Sequence, residues 1–192
     1  METIEKLKYP IGQFKAPSIY TREYLIEKIR EIEIFPETLN KTISQLNEEQ
    51  LNTPYRPDGW TIRQVIHHCT DSHMNCFIRI KWALTEKEPV IKYYYEGLWG
   101  EGIDNKTMPI EPTIQLLKGL HFRLAFLLNS LNEDELNKTF VHPEHNKTFA
   151  IKEIIGMYAW HCNHHLEHIA QLKRGKNGNH FSLFLLALAH KL

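Results

Sequence analysis

The chain has 192 residues, 42% of them hydrophobic and 24% charged, enough for one globular domain with a substantial core. Lys+Arg and Asp+Glu stand at 23 each, so no field of one sign draws the chain to nucleic acid or to an anionic membrane surface. Cys69, Cys76 and Cys162 are an odd count without CxxC spacing. They fit free thiols in a reducing compartment better than a disulfide framework. Met1–Lys6 carries no apolar run of a signal peptide, so the cytoplasm is the expected location.

In chain order, Tyr9–Pro17 reads as an extended N-terminal arm. Helical periodicity then runs from about Thr21 through Leu25, Ile29 and Ile32, and resumes through Leu39, Ile43 and Leu46. Pro36 is expected to break or bend it, giving one kinked helix or two short ones. Asn52–Gly59, rich in Pro, Asp and Gly, is a loop. Thr61 and Gln64 have the spacing of a capping box, which starts a helix running to about Leu84. Its core positions are Ile62, Val65, Ile66, Cys69, Cys76 and Ile80.

Residues 86–112 read as a long connection bearing Tyr93, Tyr94, Tyr95 and Trp99. A connection of this length serves a function more often than not, and its aromatic content fits a folded lid or a dimer contact. A third helix covers about Thr113–Leu131, with Leu116, Leu117, Leu120, Leu124 and Leu128 inward. A fourth covers about Ala150–Leu172. The segment Leu46–Asn52 (LNEEQLN) echoes Leu131–Asn137 (LNEDELN), and each copy precedes a histidine-bearing helix. This suggests two related helix–loop–helix halves, with a site where their second helices face each other. The domain is expected over residues 1–175. The tail 176–192 holds an apolar run too short to span a bilayer as a helix.

The chemistry-bearing feature is the histidine density of the last helix: His161, His164, His165 and His168. His161 with His165, and His164 with His168, stand four residues apart, so each pair projects from one helical face. Two such imidazoles grip one divalent ion, and a third from another helix completes three protein ligands with a position open for water or substrate. The upstream cluster His67, His68 and His73 offers that third ligand. A rotation of its helix would turn either His68, or His67 with Asp71, toward the site. Trp60 and Trp160 are most simply core aromatics. His164 and His168 are expected beside the ligands or facing solvent, and His142, Glu144 and His145 at the mouth.

Four stretches carry a resemblance to a known family: Tyr9-Pro10-Ile11-Gly12; Gly59-Trp60 with His67-His68 and Asp71-Ser72-His73; Phe140–His145; and Tyr158-Ala159-Trp160-His161 with His164-His165. Over about residues 8–173 the chain resembles the DinB/YfiT-like proteins, specifically the YfiT group of metal-dependent hydrolases. The resemblance implies an all-α, up-down-down-up four-helix bundle with a long crossover loop, often a homodimer. It also implies a metal site at His68, His161 and His165, with zinc as the default ion and nickel as the alternative. By its spacing, three residues after His68, Asp71 is expected either to orient a ligand imidazole or bound water or, equally, to form a surface salt bridge. Three neutral imidazoles let an ion lower the pKa of bound water to about 7 or polarise a carbonyl. The same ion can activate a thiolate, and related bundles include S-transferases for low-molecular-weight thiols such as bacillithiol. The expected activity is therefore hydrolysis of a small-molecule substrate. Thiol transfer and non-catalytic metal binding are the alternatives.

Overall fold

The computed structural model describes residues 3–177 apart from residue 145, so residues 178–192, most of the expected tail, lie outside the described residues. A short α1 (Ile4–Lys8) precedes α2 (Arg22–Ile43), which starts where the Thr21 hydroxyl accepts from the Tyr24 amide. Pro36 lies inside α2 without dividing it. Its missing amide removes one helical hydrogen bond, which leaves the carbonyl four residues back, that of Ile32, free for another donor.

The element α3 (Glu48–Leu51) leads into α4 (Ile62–Thr85), whose Thr61–Gln64 capping box forms as its sequence implies. The connection after α4 is not a plain loop. It contains α5 (Glu96–Gly100) and α6 (Ile103–Thr107), both packed on α4. The third long helix, α7 (Ile110–Ser130), starts earlier than its periodicity suggests. Leu116 lies half exposed, while Ile114 and His121 are buried on the inner face. After α8 (Glu133–Leu136) comes a hairpin that helical periodicity does not reveal, β1 (Thr139–His142) against β2 (Lys147–Ala150), and then α9 (Ile151–Asn177).

The four long helices form a bundle in which α2 and α4 each pack on both α7 and α9. Their directions follow from contacts at their ends. Arg22, opening α2, donates to the carbonyl of Leu131 just past α7 at 3.3 Å, so α2 and α7 run antiparallel. His67 near the start of α4 meets Thr113 near the start of α7 at 2.7 Å, so these two run parallel. A Cβ on Gly156 would lie 2.7 Å from the Tyr24 hydroxyl, which places the starts of α9 and α2 side by side. The order is up-down-down-up. Because α4 and α7 are parallel, the chain must return along the bundle between them, and residues 86–109 make that return.

The two halves match bond for bond at their junctions. Asn47 with Gln50 caps α3 as Asn132 with Glu135 caps α8. The Ile62 amide donates to Thr53 O, and the Ile151 amide to Lys138 O, both at hydrogen-bond distance. Asn52 accepts from Arg63, and its counterpart Asn137 accepts from Lys152. The echo in the sequence is thus a repeat in the fold, and it puts α4 and α9 face to face.

Candidate metal centre

His68 comes from α4, and His161 and His165 from successive turns of α9. Ring nitrogens of these three that could serve as ligands lie within 4.8 Å of one another. Ring centroids are 5.4 Å apart for His68–His161, 5.0 Å for His68–His165 and 4.4 Å for His161–His165. A tetrahedral ion at about 2.0–2.1 Å from each nitrogen needs nitrogens roughly 3.4 Å apart, so small side-chain adjustments suffice. His68 and His165 are buried, while His161 keeps part of its surface.

The donor set suits a cation. Burial pushes His68 down to about 4, with the nearby His164 adding to the effect. Desolvation, reinforced by the surrounding imidazoles, holds His161 and His165 well below the ordinary histidine value. All three rings are therefore neutral at pH 7 and present lone pairs without first losing a proton. Neither Cys69 nor Asp71 joins this group. Cys69 is fully buried with its thiol pushed up by desolvation, and Asp71 accepts from Asn105 of α6 at 3.1 Å. Among the described residues, three thus converge in this group.

His67, the rival of His68, turns to α7 instead. Its Nδ1 meets the Thr113 hydroxyl and its Nε2 the carbonyl of Met108 at 3.2 Å. Trp60 and Trp160 are only partly buried and serve the histidines: Trp60 packs on His68 at 4.7 Å, and Trp160 stacks on His164 at 4.5 Å. His164 and His168 do not face solvent. Both are buried, and with His165 they form a second group of close ligand-type nitrogens. His168 stacks on Tyr55 at 4.0 Å and reaches Lys8 O at 3.0 Å. His142 lies on the hairpin in a T-shaped contact with Tyr93, ring centroids 5.7 Å apart, and His145 lies outside the described residues.

Sequence reasoning missed His121. Fully buried on α7, it lies 2.5 Å from His73, which in turn lies 3.0 Å from His161. The signal was available: His121 continues the apolar stripe of Ile114, Leu117, Leu124 and Leu128, where a polar residue needs a partner.

Comparison with known proteins bears on the family and the fold. The family model described as the DinB superfamily matches residues 31–169. A Bacillus cereus (strain 03BB102) protein named "Putative metal-dependent hydrolase" is 48% identical over 171 residues, 89% of this chain and 98% of its own length. A Bacillus anthracis (strain A0248) protein of the same name matches to the same extent. The solved structure of YfiT from Bacillus subtilis, described as having "an unusual four-helix bundle topology", superposes with a TM-score of 0.88 at 38% identity, covering 90% of this chain and 98% of that one. With the family model, the Bacillus relatives and the four-helix bundle in agreement, the chain belongs to the DinB/YfiT-like family.

Proposed function

We propose that the chain is a metal-dependent hydrolase whose ion is held by His68, His161 and His165, with zinc the default occupant and nickel the alternative. The observation that carries this reading is the convergence of three neutral imidazoles from α4 and α9 with no fourth protein ligand in their group among the described residues. A structural site closes its coordination with protein, whereas a catalytic one leaves a position for water or substrate. An ion held by these residues would supply Lewis acidity, able to bring the pKa of water to about 7 or to polarise a carbonyl. The names borne by the Bacillus relatives support the same class of reaction.

The residues divide the work. His68 is braced by the Trp60 indole, and Trp60 in turn is seated against Gly100 of the crossover. His161 is the least enclosed of the three, part-buried where His68 and His165 are buried. The three cysteines are buried, and burial keeps their thiols protonated, so any thiol chemistry must use a thiol from solution.

The test is metal content of untagged protein beside His68→Ala and His161→Ala. We expect about one first-row ion per chain in the wild type, absent from both variants. A wild type that takes up no such ion on reconstitution would sink the reading. Ester and amide substrates are then assayed with and without added low-molecular-weight thiol. Turnover that requires the thiol would replace hydrolysis by thiol transfer at the same site.

A further inference from the structure

We infer that His73, His121 and His168 are positioning residues that fix the tautomers of His161 and His165, so that each turns a lone pair toward the ion. The inference rests on the ligand assignment above, but its first observable is the metal-free protein.

The argument starts from a carbonyl, which can only accept. Pro36 has no amide, so Ile32 O lacks its helical donor. His121 Nδ1 lies 2.6 Å from Ile32 O and must therefore carry the proton. A neutral His121 then has a bare Nε2, which lies 2.5 Å from His73 Nδ1, so that atom of His73 is the donor. The same step leaves His73 Nε2 bare. It lies 3.0 Å from His161 Nδ1, which must donate to it. His161 Nε2 is left as the free lone pair. Three rings in series thus transmit the polarity of one backbone carbonyl from α2 across α7 and α4 to the ligand on α9.

A shorter branch does the same for the other α9 ligand. Lys8 O accepts from His168 Nε2 at 3.0 Å, which leaves His168 Nδ1 bare. The His165 Nδ1 lies 3.4 Å from it and donates, freeing His165 Nε2 for the ion. Both branches end on main-chain oxygens, which cannot reverse their role. With His165 Nδ1 protonated and pointed at His168, only its Nε2 is left for an ion, so His165 serves one of the two histidine groups and not both.

The experiment is long-range 1H–15N correlation of the imidazoles in metal-free wild type, assigned by single-histidine variants. We expect the proton on Nδ1 for His161, His165, His73 and His121, and on Nε2 for His168. A proton on Nε2 of His161 or His165 overturns the inference. Zinc affinity is then measured by competition with a chelator for His73→Leu and His73→Gln, with folding checked by circular dichroism. The Leu variant removes the acceptor and should bind about 10–100-fold more weakly. The Gln variant, which keeps a carbonyl to accept and an amide to donate, should recover much of that loss. A folded Leu variant with wild-type affinity, or two ions per chain in the wild type, counts against the relay. Because the tautomers are read without metal and ion uptake is read separately, the ligand assignment and the relay fail by different results.

Discussion

His121 has no exposed surface, and burial pushes its pKa down to about 4 despite the opposing hydrogen bond to Ile32 O. In the unfolded chain the same ring titrates near 6.5. Between those values the unfolded state binds the extra proton, so stability falls as pH drops. The contribution is complete above about 6.5, is lost through the window down to about 4, and is constant below it; its ceiling is a few kcal/mol. Urea unfolding of metal-free protein from pH 7 to pH 4 should show this decline, and a flat profile would contradict a neutral buried His121. Residue-level reading of the sequence was weakest for the choice between His67 and His68. Every residue from Ile62 to Thr70 is buried. The first half of α4 therefore has no solvent face to fix its rotation, and the two adjacent rings point about 100° apart. The decision came from the family motif, and packing shows its cause: Thr113 and Met108 O occupy His67, leaving His68 to face α9.

At the scale of elements, the long helices were legible because caps and periodicity act locally. The Thr61 capping box and the apolar spacing of α4 need nothing from the rest of the chain. Elements of four or five residues are different. Too short to hold themselves, α5 and α6 exist because α4 supplies their partners. Gln64 donates to Gly100 O at 2.7 Å, Arg63 to Met108 O at 2.9 Å, and Asn105 binds both Asp71 and Trp99 O. The hairpin likewise borrows from the crossover, with Ile91 and Pro89 bonded to Val141. This dependence makes α5 a support of the metal centre. A Cβ on Gly100 would stand 2.7 Å from the Trp60 indole, which packs on His68. Gly100→Ala should therefore cost about 1–3 kcal/mol of stability and weaken metal binding. Gly97→Ala, with nothing within 4 Å of its added Cβ on the same short helix, should do neither. Thermal melts and zinc titrations of the pair decide it, and matching behaviour of the two variants would remove α5 from the account of the site.

For the whole molecule, the repeat explains where the site lies but not which residues form it. The matched junctions place α4 and α9 opposite each other, yet α4 gives one histidine to the group and α9 gives two. The sequence echo could therefore point to the seam, while the ligand set had to come from motif positions. The long-range order was less legible. The parallel run of α4 and α7 depends on how the crossover folds, and that is written in contacts between distant residues rather than in local periodicity. An ion at the seam would add a further tie between α4 and α9, two antiparallel helices already joined by packing and by the His73–His161 and Ser72–Tyr158 hydrogen bonds. Binding to the folded state alone stabilises it by RT ln(1 + [L]/Kd), about 2.7 kcal/mol when free ion stands at 100 times Kd. For a domain of this size that raises Tm by roughly 5–10 °C. The rise should vanish in His68→Ala and in His165→Ala, which remove ligands from opposite sides of the seam. If zinc raised the Tm of both variants as much as that of the wild type, the ion would be binding elsewhere than at the seam between the two halves.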